Sequence, residues 1–550
     1  MKTKKTYDVL AEAFLQEQVQ TCFALLGDAN MNWATRLAEG GCNFVYVRHE
    51  HCAASAAMSY ARATGRVGVA TVTCGPGLTQ IMTALPAAVR ARIPLVIFAG
   101  ESPLKLNWYN QEIDQAPFVT ATGAAYHKLH HPGRMPVQIR DAFLQARREM
   151  RPIVLGIPFD LQELDWAGTA PLPEPSHKIA PDLGPVPPNA DDVARAAEKV
   201  NSARKIIIMA GRGAYLAGAA SECESLAQHC DGLLATSLPA RGLFRDDRFN
   251  LGIAGGYATD IARHCFDQAD LVIAVGCSLA YHNSDGNNLF GNADVLQIDL
   301  DPAAVIQGRI AARCHIRADA KLGVAALLGE VRERQADWRS DELAERIKTT
   351  PPDGSVFPQL EGLHDPRAVI AALEAALPHD WEMVNSSGHC AYFSAHMPSR
   401  PVEKFHTIRE FGAIGNGISY AMGVASARPD HPVVLFDGDG SLIMHIQELE
   451  TIARHGMKIL ICVLNDGAYG SEIHKLRAEG FSQAGAVFGR PDFAAIARGF
   501  GLKGERILDL NAIANLVGQF DGSSAAIWDF HVSDLVVSPP MQRAHPPKQT

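Results

Sequence analysis

The sequence predicts an α/β protein built as three doubly wound parallel sheets in series. Two observations carry that expectation. Short, continuously apolar, β-branched runs alternate with helix-period stretches along the chain, the pattern of strands covered on both faces by crossover helices. Two proline-rich separators cut this pattern into three blocks, and 550 residues suit about three or four domains of roughly 150 residues each. The expected boundaries are 1–165 for the first α/β domain, 166–188 for a linker, 189–347 for a middle α/β domain, 348–365 for a second linker, 366–535 for a third α/β domain and 536–550 for a tail.

The elements follow in order. The first block holds strand-like VGVATVT (67–73), PLVIFAG (94–100) and PIVLGIP (152–158). The proline-dense first linker reads as extended chain without a helix or central strand. The middle block shows KIIIMAG (205–211), LVIAVGC (271–277) and VLQIDLD (295–301), then one charged helix-like run from Leu322 to Arg346. The third block shows WEMV (381–384), PVVLFDGDG (432–440) and KILICVLND (458–466), and the tail SPPMQRAHPPKQT is either loose or folded over the site.

Composition excludes several classes. Net charge is −10 with no basic run, so nucleic acid is not an expected partner. No stretch of about 18 apolar residues predicts a membrane span, and the N-terminus lacks the apolar core of a secretory signal. Eleven dispersed cysteines without a CxxC pair point to reduced thiols and a cytoplasmic location.

The most informative stretch is GDGSLIMHIQELETIARHGMKILICVLNDGAYG, Gly438 to Gly470. One apolar strand ends at Asp439 and the next ends at Asp466. Ligands of open parallel sheets gather beyond the carboxyl ends of strands, and neighbouring strands lie about 5 Å apart. Two such carboxylates can therefore share one hard cation. Gly438, Gly440 and Gly467 permit close backbone approach, and Ser441 with the helix start behind it offers donors to phosphate oxygens.

GDGS followed by LND resembles the diphosphate motif of thiamine diphosphate enzymes. The resemblance covers nearly the whole chain and is nearest to the acetolactate synthase, benzoylformate decarboxylase and pyruvate decarboxylase group. It implies Mg²⁺ held by Asp439, Asp466 and the carbonyl of Ala468, with Tyr469 and Gly470 in the same loop. Asp466 departs from the asparagine usual there. In the segment 46–80, Glu50 matches the glutamate that hydrogen-bonds the aminopyrimidine. In REFGAIGNG, Ile414 matches the apolar wedge between the cofactor rings, and the carbonyl of Gly412 the acceptor for the amino group. In NSSGHC, Ser387, Gly388 and His389 match further diphosphate contacts. Because Glu50 and Asp439 belong to different domains, the family pattern implies a homodimer or homotetramer with sites at the subunit interface.

The same resemblance frames the reaction. A 2-oxo acid loses CO₂ to give an enamine, which is passed to a second carbonyl by a carboligase or protonated to an aldehyde by a decarboxylase. Asp28 in GDAN resembles a catalytic aspartate of pyruvate decarboxylase, and Glu472 has the spacing of that enzyme's catalytic glutamate. Gln111 in NQEID resembles the glutamine of acetolactate synthases, and His282 loosely resembles a middle-domain histidine of benzoylformate decarboxylase. Loops near Gln111 and from Leu476 to Phe488 are expected to size the pocket. AGRG (210–213) and DLDP (299–302) keep the outline of a flavin site, but the arginine- and aspartate-rich flavin stretch is replaced by CSLAYHNSD, so FAD is not expected. The leading expectation is an acetolactate synthase-like carboligase. The alternatives are a simple decarboxylase, a cyclic diketone hydrolase, and a catalytically silent regulatory subunit, against which the presence of Glu50 and Asp439 counts.

Overall fold

The computed structural model describes residues 4–168, 171–301, 312–335, 337–520 and 522–546. Its strands form three six-stranded sheets in which every paired neighbour runs parallel. The first contains β1 (Thr21–Ala24), β2 (Asn43–Tyr46), β3 (Gly68–Val72), β4 (Leu95–Glu101), β5 (Ala125–Lys128) and β6 (Pro152–Pro158), in the order β2-β1-β3-β4-β6-β5. The second contains β7 (Ile206–Ala210), β8 (Leu233–Thr236), β9 (Asn250–Ile253), β10 (Leu271–Val275), β11 (Asp294–Asp299) and β12 (Cys314–Arg317), in the order β12-β11-β10-β7-β8-β9. The third contains β13 (Glu382–Asn385), β14 (Phe405–His406), β15 (Val433–Gly438), β16 (Ile459–Asn465), β17 (Lys503–Arg506) and β18 (Ala526–His531), in the order β14-β13-β15-β16-β18-β17. The α/β class and the three sheets in series stand as the sequence predicts.

The first and third sheets repeat one topology: each begins at its first strand, steps outward to the second and returns to the third. The strand order reverses between β1 and β3 and between β13 and β15, the kind of place at which open parallel sheets bind ligands. These two sheets also share one continuous core, which runs from Phe23 and Ala54 through Ile418 and Ala421 to Ile461. Its centre is the contact between the helices Glu50–Thr64 and Gly417–Ala427. Both present small residues, and a Cβ on Gly423 would stand 2.0 Å from Ser59 Oγ and 2.2 Å from the Ala56 carbonyl. This close approach fixes the residues at the two helix starts, Glu50 and Asn416, relative to each other.

Two readings need correction. The first linker contains a short helix, Ser176–Ile179. It forms despite the prolines because buried Glu17 accepts from the Ser176 amide at 2.7 Å and from its hydroxyl at 2.5 Å. The expected single run from Leu322 to Arg346 is two helices, Ala320–Glu330 and Asp341–Thr349. The chain turns between them because Asp231 binds the Trp338 amide at 2.7 Å and Ser340 caps the second helix. Residues 1–3 of the first domain, 169–170 of the linker, Pro302 of DLDP and 547–550 of the tail lie outside the described residues.

Replacing Gly423 by Val should lower the melting temperature by the equivalent of about 1–3 kcal/mol of overpacking, because backbone as well as a side chain blocks the new atoms. Gly485→Ala, which meets nothing within 4 Å, is the control. Calorimetry on both variants makes the comparison.

Candidate active site

The third sheet gathers the larger group of sequence-predicted residues. β15 and β16 are adjacent, with Gly438 paired to Leu464, so their next residues emerge side by side. Asp439 is buried; its carboxylate accepts from the Gly440 amide at 2.8 Å and the Gly467 amide at 2.7 Å. Asp466 accepts from the Ala468 amide at 3.1 Å, and its side chain and that of neighbouring Asp439 act on each other. Burial pushes Asp439 up to about 6, and burial together with the Asp439 charge pushes Asp466 well above the carboxylate range. The pair is short of positive charge: as built it can hold a shared proton or a cation.

The neighbouring positions close around this pair. A Cβ on Gly470 would lie 2.6 Å from Asp466 Oδ2 and 3.3 Å from His389, and one on Gly440 would lie 2.8 Å from the Tyr469 ring. A Cβ on Gly438 would lie 3.3 Å from Cys390 Sγ. Ser441 Oγ accepts from the Gly415 amide at 2.9 Å, which ties the acidic turn to the loop carrying Gly412 and Ile414. Gly388 has φ +106° and faces Ile414 Cγ2 at 4.0 Å from its Cβ position, and Ser387 is buried beside it. Gly412 takes φ +71°, the left-handed region that suits glycine. Burial pushes His389 down to about 3, so it is neutral and its Nε2 accepts from the Ser538 amide at 3.0 Å. The tail is therefore docked: its helix Pro539–Ala544 follows, and Arg543 donates to the Gly256 carbonyl of the middle domain at 2.8 Å. Phe488, in the loop expected to size the pocket, packs edge-on against Tyr469 with ring centroids 5.2 Å apart.

The first sheet gathers the smaller group, also at its carboxyl edge. Asp28 follows β1, Glu50 follows β2, Cys74 follows β3 and Gln111 lies in the loop after β4. Asp28 accepts from the Tyr109 hydroxyl at 3.4 Å, and Gln111 Oε1 accepts from Cys74 Sγ at 3.3 Å. Glu50 Oε1 lies 3.5 Å from the Cβ position of Gly77. Glu50 is half-buried and desolvation raises its pKa, which favours the protonated carboxyl. The next residue, His51, bridges to the third domain: Nε2 meets Asn416 Oδ1 at 2.5 Å, and its ring stacks on His445 at 4.9 Å. Desolvation lowers His51 to about 4, so the bridge is neutral.

Two predicted residues stay outside these groups. Glu472 is exposed and pairs with Lys475 at 3.3 Å. His282 is exposed on the middle domain with its ring against Tyr281 and its carbonyl against Gly255. Sequence reading missed Cys74, Tyr109, Asn416 and Asp437. The last is a fully buried carboxyl pushed up to about 7 by burial; the doubled acid in DGDG signalled it. In the middle domain the Gly211–Gly213 turn abuts the end of β10, where a Cβ on Gly211 would stand 2.3 Å from the Gly276 carbonyl.

Family models match the chain three times, in order. The N-terminal TPP binding domain of thiamine pyrophosphate enzymes matches residues 4–118, the central domain 193–327 and the C-terminal TPP binding domain 386–521. The chain is an enzyme of the thiamine pyrophosphate family. Its relatives include the acetolactate synthase large subunit of Parasynechococcus marenigrum, 28% identical over 95% of this chain and 86% of that protein. Others are a probable acetolactate synthase large subunit of Methanococcus aeolicus, 27% identical over 92% and 88%, and the isozyme 2 large subunit of Escherichia coli, 28% identical over 90% of each. Among the described residues no helix is long and apolar enough to cross a membrane.

The acidic pair yields a test on the ligand-free protein. Burial and the Asp439 charge raise the folded-state pKa of Asp466 well above its unfolded value of 3.8, so its cost to stability grows as the pH rises above that value. Asp466→Asn should raise the melting temperature at pH 8 by roughly 2–4 °C, and the gain should vanish near pH 4. Calorimetric scans at the two pH values check the sign.

Proposed function

We propose that the protein is a thiamine diphosphate- and Mg²⁺-dependent carboligase that decarboxylates a 2-oxo acid and joins the remaining acyl unit to a second carbonyl compound. The observation that carries the reading is the pairing of buried Asp439 with half-buried Asp466 at the ends of adjacent strands. Among the described residues no group of three or more His, Cys, Asp or Glu side chains could hold a metal alone. That donor set fits Mg²⁺, which takes one or two carboxylates and completes its shell with phosphate oxygens, water and here the Ala468 carbonyl.

When bound, the cofactor's thiazolium ring supplies a sink for the electron pair released on decarboxylation. The chain's residues do the rest in this reading. Asp439 and Asp466 hold the cation, while Gly438, Gly440, Ser441, Tyr469, Gly470, Ser387, Gly388 and His389 line the diphosphate. Gly412 and Ile414 position the rings. Glu50, with its raised pKa, offers a proton to the aminopyrimidine. Asp28 and Gln111 stand on the same sheet edge as Glu50, where they can orient substrate or pass a proton. Glu472 and His282 would join only by turning toward the site.

A homodimer or homotetramer fits, since Glu50 and Asp439 stand on different domains. All eleven cysteines are free, which agrees with a reducing cytoplasm. No flavin is part of this reading. Carboligation is preferred over simple decarboxylation because the relatives bear the acetolactate synthase name and Gln111 lies at the sheet edge.

The holoenzyme should convert a 2-oxo acid to CO₂ and a carbon–carbon-coupled product when an aldehyde or second 2-oxo acid is present, as read by mass spectrometry across a substrate panel. Free aldehyde alone would make it a simple decarboxylase. Consumption only of cyclic diketones would make it a hydrolase, and no turnover a silent subunit. Glu50→Gln should lower turnover at least about 100-fold with an unchanged melting temperature.

A further inference from the structure

Arg409 is half-buried and carries a charge that no described residue pairs with. Its Nη1 is fully buried without a hydrogen bond, and its side chain forms no hydrogen bond or ion pair with any described residue. Six other arginines have one buried unpartnered nitrogen each: Arg62, Arg147, Arg241, Arg263, Arg334 and Arg400. Each of those six is satisfied through its remaining nitrogens by a carbonyl or a carboxylate. Adjacent Glu410 pairs with Arg62 at 3.1 Å and accepts from the Arg409 backbone amide at 2.8 Å, not from its guanidinium.

The guanidinium instead sits over an aromatic ring. Its carbon sits 5.2 Å from the Tyr257 ring centroid, and Tyr257 is held edge-on by Tyr392 at 5.2 Å. A guanidinium held over a ring keeps its N–H donors for a planar or tetrahedral oxyanion. The place is also right. Arg409 opens the loop to Gly412 and Ile414, and its carbonyl accepts from the Gly412 amide at 3.0 Å. Cys390, which touches Gly438, is raised by burial, then by Asp437 and Asp466, and is lowered by Arg409. Arg409 therefore shares one neighbourhood with the acidic turn. A buried donor left unmade costs more than a typical hydrogen bond gains, so one in a native structure calls for something that completes it, such as a ligand, ion or water.

We propose that Arg409 is an anion-docking residue of the active site, whose guanidinium receives an oxyanion of a bound ligand. The shared chemistry is a carboxylate or phosphate oxygen pair, and two sources present it: the diphosphate of the cofactor and the carboxylate of a 2-oxo acid. The inference rests on the reading of the strand-end site given above.

The test compares wild type, Arg409→Met and Arg409→Lys. Calorimetry measures the binding of thiamine diphosphate with Mg²⁺, and steady-state kinetics gives KM and kcat for the 2-oxo acid. If the anion is the diphosphate, Arg409→Met should weaken cofactor binding about 10- to 100-fold, while Arg409→Lys should recover part of it. If the anion is the substrate carboxylate, cofactor binding should be unchanged and KM should rise by a similar factor, again with partial recovery by Lys. The melting temperature of ligand-free Arg409→Met should equal or exceed that of wild type, since an unanswered donor is removed. Unchanged cofactor affinity together with unchanged KM overturns the proposal, as does a fall in ligand-free stability that accounts for the loss. If wild type itself takes up no cofactor, the functional reading has failed instead.

Discussion

Everything at the site depends on two carboxyl groups forced together in a dry place. Asp439 and Asp466 each end a fully buried strand, and parallel pairing sets those strand ends side by side. Asp439 is buried and Asp466 half-buried, and amides from Gly440, Gly467 and Ala468 fix both. Like charges so confined must share a proton or accept a cation. The usual asparagine of the family motif would relax this constraint. Asp466 tightens it, which makes charge balance the organising problem of this active site. Arg409 is the nearby group whose own charge is unanswered in the opposite sense.

Repetition of one sheet topology supplies the second half of the design. The first and third sheets reverse their strand order at equivalent places, where open parallel sheets bind ligands. One edge bears Asp28, Glu50, Cys74 and Gln111, and the other bears the acidic pair with its glycine turns. Small residues on the helices Glu50–Thr64 and Gly417–Ala427 let the two sheets share a core. The neutral bridge from His51 to Asn416 and His445 then joins the helix starts without adding charge. The middle sheet is linked to this assembly through the tail, where Arg543 and the Ser538–His389 bond span the domains.

Much of this was legible in the sequence, for physical reasons that also explain the gaps. Long central strands such as β4, β6, β10, β15 and β16 announced themselves as apolar runs, because burial on both faces demands it. The four-residue strands β1 (TCFA) and β2 (NFVY) gave no such signal, although they carry Asp28 and Glu50. Edge strands β5 and β17 are partly polar because one side meets solvent. The acidic turns were readable because glycine and aspartate at strand ends have a steric and chemical reason to be there. Cys74, Tyr109 and Arg409 were not, since their significance lies in contacts made across loops. The helix at Ser176–Ile179 escaped because its partner, Glu17, is remote in sequence.

Titration of thiamine diphosphate into the purified protein by isothermal calorimetry, once with Mg²⁺ and once with the divalent cations chelated, tests the central claim most directly. The account predicts saturable uptake with Mg²⁺ and affinity lost without it, since the diphosphate would then face an uncompensated acidic pair. Binding of equal strength in the chelated protein, or none in either, would contradict it.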